Sequence, residues 1–298
     1  KMDRMKGAML GLACGDALGT TVEFSLRGTF TELTEIVGGG VFGLKKGQWT
    51  DDTSMALCLM ESLIECQEMN LKDQIERYIN WSDYGYMSCT GTCFDIGMTV
   101  SAALDDYKES ENPKSGSQNS YKAGNGCIMR LAPVPLFFHN DYLQAIFNSG
   151  ESSETTHRAY ECIQASQFFG SLIWKAINGY SKDDILFSRD LTFSCERVQA
   201  LNDADYLNYD HTELISSGYV IQTLECALWC FANTESYKEA VLMAANLGGD
   251  ADTAAAVCGQ IAGAYYGLNG IPKEWLDCVA WGKKMEKRVE VLSKSKHS

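Results

Sequence analysis

Apolar positions recur at helical spacing along most of the chain, while strand-like alternation is confined to a few short stretches. The clearest case is residues 50–66. There Met55, Leu59 and Leu63 run beside Ala56, Met60 and Ile64 as one stripe, which predicts an amphipathic helix. Residues 2–18 predict a helix of another kind. Gly7, Ala8, Gly11, Ala13 and Gly15 give it small side chains that let a second backbone approach closely. Further helices are predicted over 71–81, 94–108, 140–149, 152–178, 219–232, 236–246, 252–267 and 273–293. Residues 19–49 are loop-rich, with Gly38, Gly39, Gly40, Gly43 and Gly47. The stretch 109–121 is a polar loop, more often a solvated connection than a lid, and 124–138 opens on a Gly-rich turn. Residues 181–217 mix charge and aromatic rings without a clean period and read as short helices and loops. No repeat at a fixed period is present. The pattern predicts an all-α protein of many short helices packed into one globule.

Composition narrows the picture. The 298 residues, 45% hydrophobic and 21% charged, are ample for a large core and exclude disorder as the main state. Four prolines and the absence of a Pro-rich or Ser/Gly-rich linker predict a single domain over 1–298. The net charge of −14 repels phosphate, which argues against nucleic acid or an anionic membrane as the main partner. An anionic substrate would need local donors, a helix N-terminus or a bound cation. The 12 cysteines lie mostly in apolar helical patterns and read as reduced core thiols. The CxxxC pairs Cys89/Cys93 and Cys226/Cys230 lack a second Cys/His pair at zinc spacing. No run reaches the ~18–20 apolar residues of a membrane span. The first residues, with Asp3 and several glycines, do not read as a secretory leader, so a cytoplasmic protein is expected.

The strongest chemical signal is Gly47-Gln48-Trp49-Thr50-Asp51-Asp52-Thr53. Thr50 suits an N-cap, and Asp51 and Asp52 fall in the first helical turn, where carboxylates complement the helix dipole. One such motif needs no further explanation. It recurs, however, as Gly248-Gly249-Asp250-Ala251-Asp252-Thr253 before an apolar helix. Four carboxylates with threonine hydroxyls form an all-oxygen set suited to Mg²⁺ or Mn²⁺ if the two helix starts meet. Adjacent helical residues diverge by about 100°, so Asp51 and Asp52 can address different ions.

Weaker signals are Asp16 and Glu23 in Gly15–Glu23, and Asp95 before an apolar helix, where an N-cap is the commoner role. Gly124-Asn125-Gly126 offers backbone N–H groups to a phosphate, though such a turn is of low specificity. Arg130, in an apolar stretch, asks for an anion, either a ligand or an internal Asp or Glu. His157 lies near a predicted helix start and is equally readable as structural. GxSxG, Walker A and HExxH motifs are absent, which argues against acyl transfer, P-loop hydrolysis and zincin proteolysis.

In order, GAMLGLACGDALGTTVEF, GQWTDDTSM, CFDIGMTVSAAL, AGNGCIMRLAPV, TTH and NLGGDADTAAAVCGQIAGAYYG resemble the ADP-ribosylglycohydrolase family, over about residues 7–267. The resemblance implies a compact all-α fold with a centre of two Mg²⁺ or Mn²⁺ ions. Thr50, Asp51 and Asp52 match ligands from one helix start, and Asp250, Asp252 and Thr253 those from the other. Glu23 and Asp95 match carboxylates at the reacting centre. Gly124, Asn125 and Gly126 match the loop that grips the distal ribose and phosphates. His157 matches a residue near the nucleotide, and Arg130 either touches ligand or braces the loop. The implied reaction hydrolyses the bond between ADP-ribose C1″ and a protein side chain, with arginine the leading acceptor, through an oxocarbenium-like transition state. ADP-ribosylated protein is then the partner and ADP-ribose the product. Two rivals stay open: a crystallin-like or ADP-ribose-binding protein without turnover, and a hydrolase of another conjugate (serine, nucleobase or O-acetyl-ADP-ribose). The same chemistry also fits an immunity factor that reverses a toxin's ADP-ribosylation.

Overall fold

The computed structural model describes residues 1–295. Among them are fourteen α-helices: α1 Met2–Gly19, α2 Asp51–Cys66, α3 Leu71–Tyr84, α4 Met98–Ser110, α5 Pro133–Phe137, α6 Tyr142–Ser153 and α7 Tyr160–Ile177, then α8 Lys182–Leu186, α9 Glu196–Asn202, α10 Val220–Ala232, α11 Tyr237–Ala245, α12 Ala251–Tyr266, α13 Lys273–Cys278 and α14 Gly282–Ser293. Extended pairing among the described residues is limited to isolated bridges such as Gly124↔Tyr219. The all-α expectation holds. No described helix is long and apolar enough to cross a membrane.

Helices α1 and α12 form the centre. They run antiparallel, with Gly7 facing Gly263, Gly11 facing Gly259, Gly15 facing Ala255 and Gly19 facing Ala251. A Cβ built on Gly11 would lie well inside 3.0 Å of the Gly259 carbonyl oxygen, so the two backbones touch. Both helices are buried on every side, α1 from Gly7 to Gly19 and α12 from Ala251 to Ala264. That is why neither shows a clean polar face. Helices α7, α10 and α11 pack on α12, and α14 packs on α1. One apolar cluster runs from Met5 to Leu292. A second, between α2, α3 and α4, centres on Tyr78, Trp81 and Leu104.

This crossing sets the end of α1 beside the start of α12. Trp49 brings the start of α2 to the same point. Its buried indole Nε1 donates to the Ala280 carbonyl at 2.9 Å, and its ring meets Trp281 edge-on at 5.2 Å.

Several predicted boundaries move. The segment 273–293 is two helices, although Trp275, Val279, Met285, Val289 and Leu292 keep their buried spacing. Val279 turns extended and Trp281 takes a left-handed φ of +61°, which carries its ring to Trp49. Helix α7 starts at Tyr160 rather than 152. Helix α6 instead runs on to Ser153, and the Ser153 and Thr155 hydroxyls, donating to the His157 and Ser152 carbonyls, hold the turn that separates it from α7. Helix α4 starts at Met98 and runs to Ser110. The polar loop beyond it is pinned: the Gly116 N–H donates to the Glu154 carbonyl, and the Arg158 N–H to that of Ser117.

Candidate active site

Thr50 occupies the N-cap position of α2, but its hydroxyl caps nothing there. The cap comes from Asp16, near the end of α1. The Thr50 and Thr53 N–H groups donate to its carboxylate at 3.0 and 3.1 Å, and their hydroxyls at 2.8 and 2.7 Å. Asp16 is fully buried, so these donors replace lost water.

The Thr50 hydroxyl also lies 3.0 Å from Asp252 Oδ2, 3.2 Å from Asp51 Oδ1 and 3.3 Å from Asp52 Oδ2. The two acidic helix starts therefore meet. The hydroxyl has a single proton, which its shortest contact gives to Asp16, so it has none left for these three oxygens gathered around it. The approach of Glu23 is equally defined. The Phe24 N–H donates to the Gly249 carbonyl, and the Gly249 N–H to that of Ser25, both at 2.8 Å. These reciprocal bonds dock the 23–25 turn on the start of α12. Phe24 and Asp95 both hold left-handed backbone, at φ +68° and +63°. Side-chain-bearing residues rarely adopt it, and such strain clusters at functional sites. Asp95 is thus not the N-cap of α4, a place that Gly97 takes.

Together these residues wall a cavity of about 630 Å³, lined by Glu23, Asp51, Asp95, Asp250 and Asp252 with Thr253, the 124–126 loop and His157. Carboxylate oxygens of Asp16, Asp52 and Asp252 lie within 4.8 Å of one another, as do those of Glu23, Asp95 and Asp252. Four oxygens here are buried without a hydrogen-bond donor: Glu23 Oε2, Asp52 Oδ1, Asp95 Oδ2 and Asp252 Oδ1. Burial first, and the neighbouring carboxylates next, push Glu23 up to about 11, and Asp95 rises to about 7 chiefly through burial. Asp51, Asp52 and Asp252 are held well above the usual carboxylate range for the same reasons. Unpartnered, mutually repelling oxygens are what a hard divalent cation relieves, and the donor set fits such ions. In chelator, the protein should melt several degrees lower than in excess Mn²⁺ or Mg²⁺, since an ion at about a thousand times its Kd adds roughly 4 kcal/mol. A melting curve insensitive to both ions and chelator overturns this fit.

The other expected residues separate into two groups. Gly124 and Gly126 stand against the His157 ring, and a Cβ on Gly126 would come within 2.6 Å of its Cε1. His157 is buried and neutral, since burial and then the Arg130 charge push it down to about 3. Its Nδ1 shares a 2.8 Å hydrogen bond with the Thr156 hydroxyl. Asn125 turns inward, where its Nδ2 donates to Asp250 Oδ2 at 2.7 Å and to the Thr223 hydroxyl at 3.0 Å. Arg130 is fully buried and does not line the cavity. Among the described residues no Asp or Glu pairs with it. Its Nη2 donates to the Ser152 carbonyl and the Thr155 hydroxyl, both at 3.1 Å, and the guanidinium lies 4.8 Å from the Tyr78 ring centre. It braces the turn that presents His157. The sequence reading missed Asp16 as the cap of the α2 start, with a carboxylate oxygen within 4.8 Å of Asp252, and Phe24 and Met98 among the cavity's lining.

A larger groove, about 800 Å³, lies elsewhere, beside Arg27, Phe30 and Met243. Its acidic residues Glu32, Glu235 and Glu239 are exposed, so volume does not outrank the buried carboxylates.

The family described as ADP-ribosylglycohydrolase matches residues 1–297. An ADP-ribosylarginine hydrolase Tri1 of Serratia proteamaculans is 42% identical over 291 residues, covering 98% of this chain and 79% of that protein. An ADP-ribosyl-[dinitrogen reductase] glycohydrolase of Rhodospirillum rubrum is 30% identical over 296 residues, covering 97% and 92%. A solved structure titled ADP-ribosylglycohydrolase-related protein complex superposes with a TM-score of 0.86 at 38% identity, covering 99% of this chain and 98% of that one.

Proposed function

The chain belongs to the ADP-ribosylglycohydrolase family, and from that premise we propose that it hydrolyses the bond between ADP-ribose and arginine side chains of modified proteins. The observation that carries this reading is the meeting of Asp52 and Asp252 across the Thr50 hydroxyl, with unpartnered oxygens beside a cavity that Glu23 and Asp95 also line. The continuous core from Met5 to Leu292 supports treating the chain as one domain.

Thr50, Asp51, Asp52, Asp250, Asp252 and Thr253 are the residues we assign to hold two Mg²⁺ or Mn²⁺ ions. Bound there, such ions supply positive charge to the ribose hydroxyls and to an attacking water. Asp16 is assigned a different task, fixing the helix start that presents Asp51 and Asp52. Glu23 and Asp95 hold and move the proton that water loses and the departing guanidine takes up. One water adds, the C1″–N bond breaks, and ADP-ribose and unmodified arginine leave. The 124–126 loop and the neutral His157 form the wall assigned to the nucleotide. Asn125 serves by fixing Asp250, and Arg130 by bracing the turn that carries His157. The natural partner is a protein modified on arginine, whether by an ADP-ribosylating toxin or by another transferase, and the compartment is the cytoplasm.

A substrate panel tests this. Arginine-, serine- and nucleobase-linked ADP-ribose and O-acetyl-ADP-ribose are offered with Mg²⁺, Mn²⁺ or chelator. Release of ADP-ribose from the arginine conjugate, lost in chelator, is the expected result. Release only from another conjugate, or tight binding of ADP-ribose without turnover, overturns it.

A further inference from the structure

Phe24 is held against two local preferences at once. Its φ of +68° is left-handed, where glycine fits without strain and an aromatic residue does not. Its ring is 65% exposed and joins neither apolar cluster of the core. The backbone pairing with Gly249 explains the conformation, since it docks Glu23 beside the start of α12. It does not explain the side chain, because glycine would make the same bonds.

The ring's position does. Phe24 lines the carboxylate cavity next to Glu23. Met98, the first residue of α4, lines the same cavity and is 91% exposed. The acidic pocket therefore has an apolar lip made of one aromatic face and one flexible thioether, both turned to solvent. Such a pair suits a ligand that is cationic, planar and carried on an apolar stem. A guanidinium is delocalised and weakly hydrated, and it stacks on aromatic faces. Its methylene stem packs on methionine. Glu23 and Asp95, which line the same cavity, offer carboxyl oxygens that accept from the guanidinium N–H groups.

We propose that Phe24, with Met98, forms the acceptor subsite of this enzyme: the departing arginine's guanidinium stacks on the Phe24 ring, and that contact selects arginine conjugates over ester- or serine-linked ones. The proposal rests on the arginine reading above. It assigns Phe24 a specificity role and leaves the proton transfer to Glu23 and Asp95.

The test compares wild type with Phe24→Gly, Phe24→Tyr and Phe24→Leu, using ADP-ribosylarginine, a serine-linked ADP-ribosyl peptide and free ADP-ribose. Phe24→Gly suits the left-handed backbone, so it should melt no lower than wild type. Its KM for ADP-ribosylarginine should rise about tenfold, the scale of a desolvated cation–π contact. Its kcat should stay within about threefold, and its Kd for free ADP-ribose by calorimetry within about twofold. Phe24→Tyr should restore KM, and Phe24→Leu should not. The proposal is overturned if Phe24→Gly keeps the wild-type KM. It is equally overturned if leucine restores as well as tyrosine, or if affinity for free ADP-ribose falls in step with KM. A wild-type enzyme that ignores the arginine conjugate while cleaving the serine one overturns the arginine reading itself, before any variant is compared.

Discussion

Replacing Asp252 by asparagine is expected to remove cation-dependent turnover while raising the melting temperature of the cation-free protein. Asp252 is where the two oxygen sets join, one with Asp16 and Asp52, the other with Glu23 and Asp95. It is 1% exposed, and its Oδ1 has no donor. Asparagine keeps the shape and brings an N–H₂ that donates to a neighbouring carboxylate, so crowding of carboxylates at the start of α12 is relieved. The same change removes a negative oxygen that a divalent ion requires. Loss of a group next to a bound metal costs about 10–100-fold, and loss of a ligand shared by two sets should exceed a hundredfold. The opposed signs are the discriminating feature. A residue kept for stability would lose both activity and melting temperature. A residue kept for a cation loses activity, loses the Mn²⁺-induced rise in melting temperature, and gains stability in chelator. Single-turnover release of ADP-ribose and paired melts with Mn²⁺ or chelator measure all three. Wild-type turnover at limiting Mn²⁺ in Asp252→Asn overturns the assignment.

The parts of this site that could be read in advance were those written locally. Thr50-Asp51-Asp52 and Asp250-Ala251-Asp252-Thr253 are each a helix start with two carboxylates, visible within a few residues. The small residues of α1 were likewise visible as a spacing, and the structure pairs them with α12. What escaped was carried by contacts between distant segments. Asp16 caps a helix that begins 35 residues later in the chain, so no local pattern reports it. Arg130 was expected to meet an anion, yet a carbonyl, a hydroxyl and an aromatic face surround it. Periodicity ran straight through 279–281, where Trp281 leaves helical geometry to reach Trp49. The left-handed turns at Phe24 and Asp95 are tertiary strains, invisible to propensity.

The second large effect concerns the crossing that brings the acidic turns together. Gly11→Ala is expected to lower the melting temperature sharply, against what helix propensity predicts. In a helix interior, alanine is better than glycine by roughly 1 kcal/mol. Residue 11 lies in the middle of α1, so propensity alone makes this a stabilising change. Packing argues the reverse. The added Cβ would fall well inside 3.0 Å of the Gly259 carbonyl oxygen, and that oxygen is backbone in the middle of α12, unable to rotate away. The two helices must separate, and overpacking of this kind costs about 1–3 kcal/mol or more where nothing flexible gives way. The net loss lowers the melting temperature by roughly 2–4 °C per kcal/mol for a chain of this size. Separation also draws Asp16, near the end of α1, away from Asp252 at the start of α12. Turnover should therefore fall further than the folded fraction does, with the remaining activity needing more Mn²⁺. Valine at the same position is expected to prevent folding. A rise in melting temperature for Gly11→Ala would mean that propensity governs this position. The close crossing would then not be what sets the two acidic turns side by side.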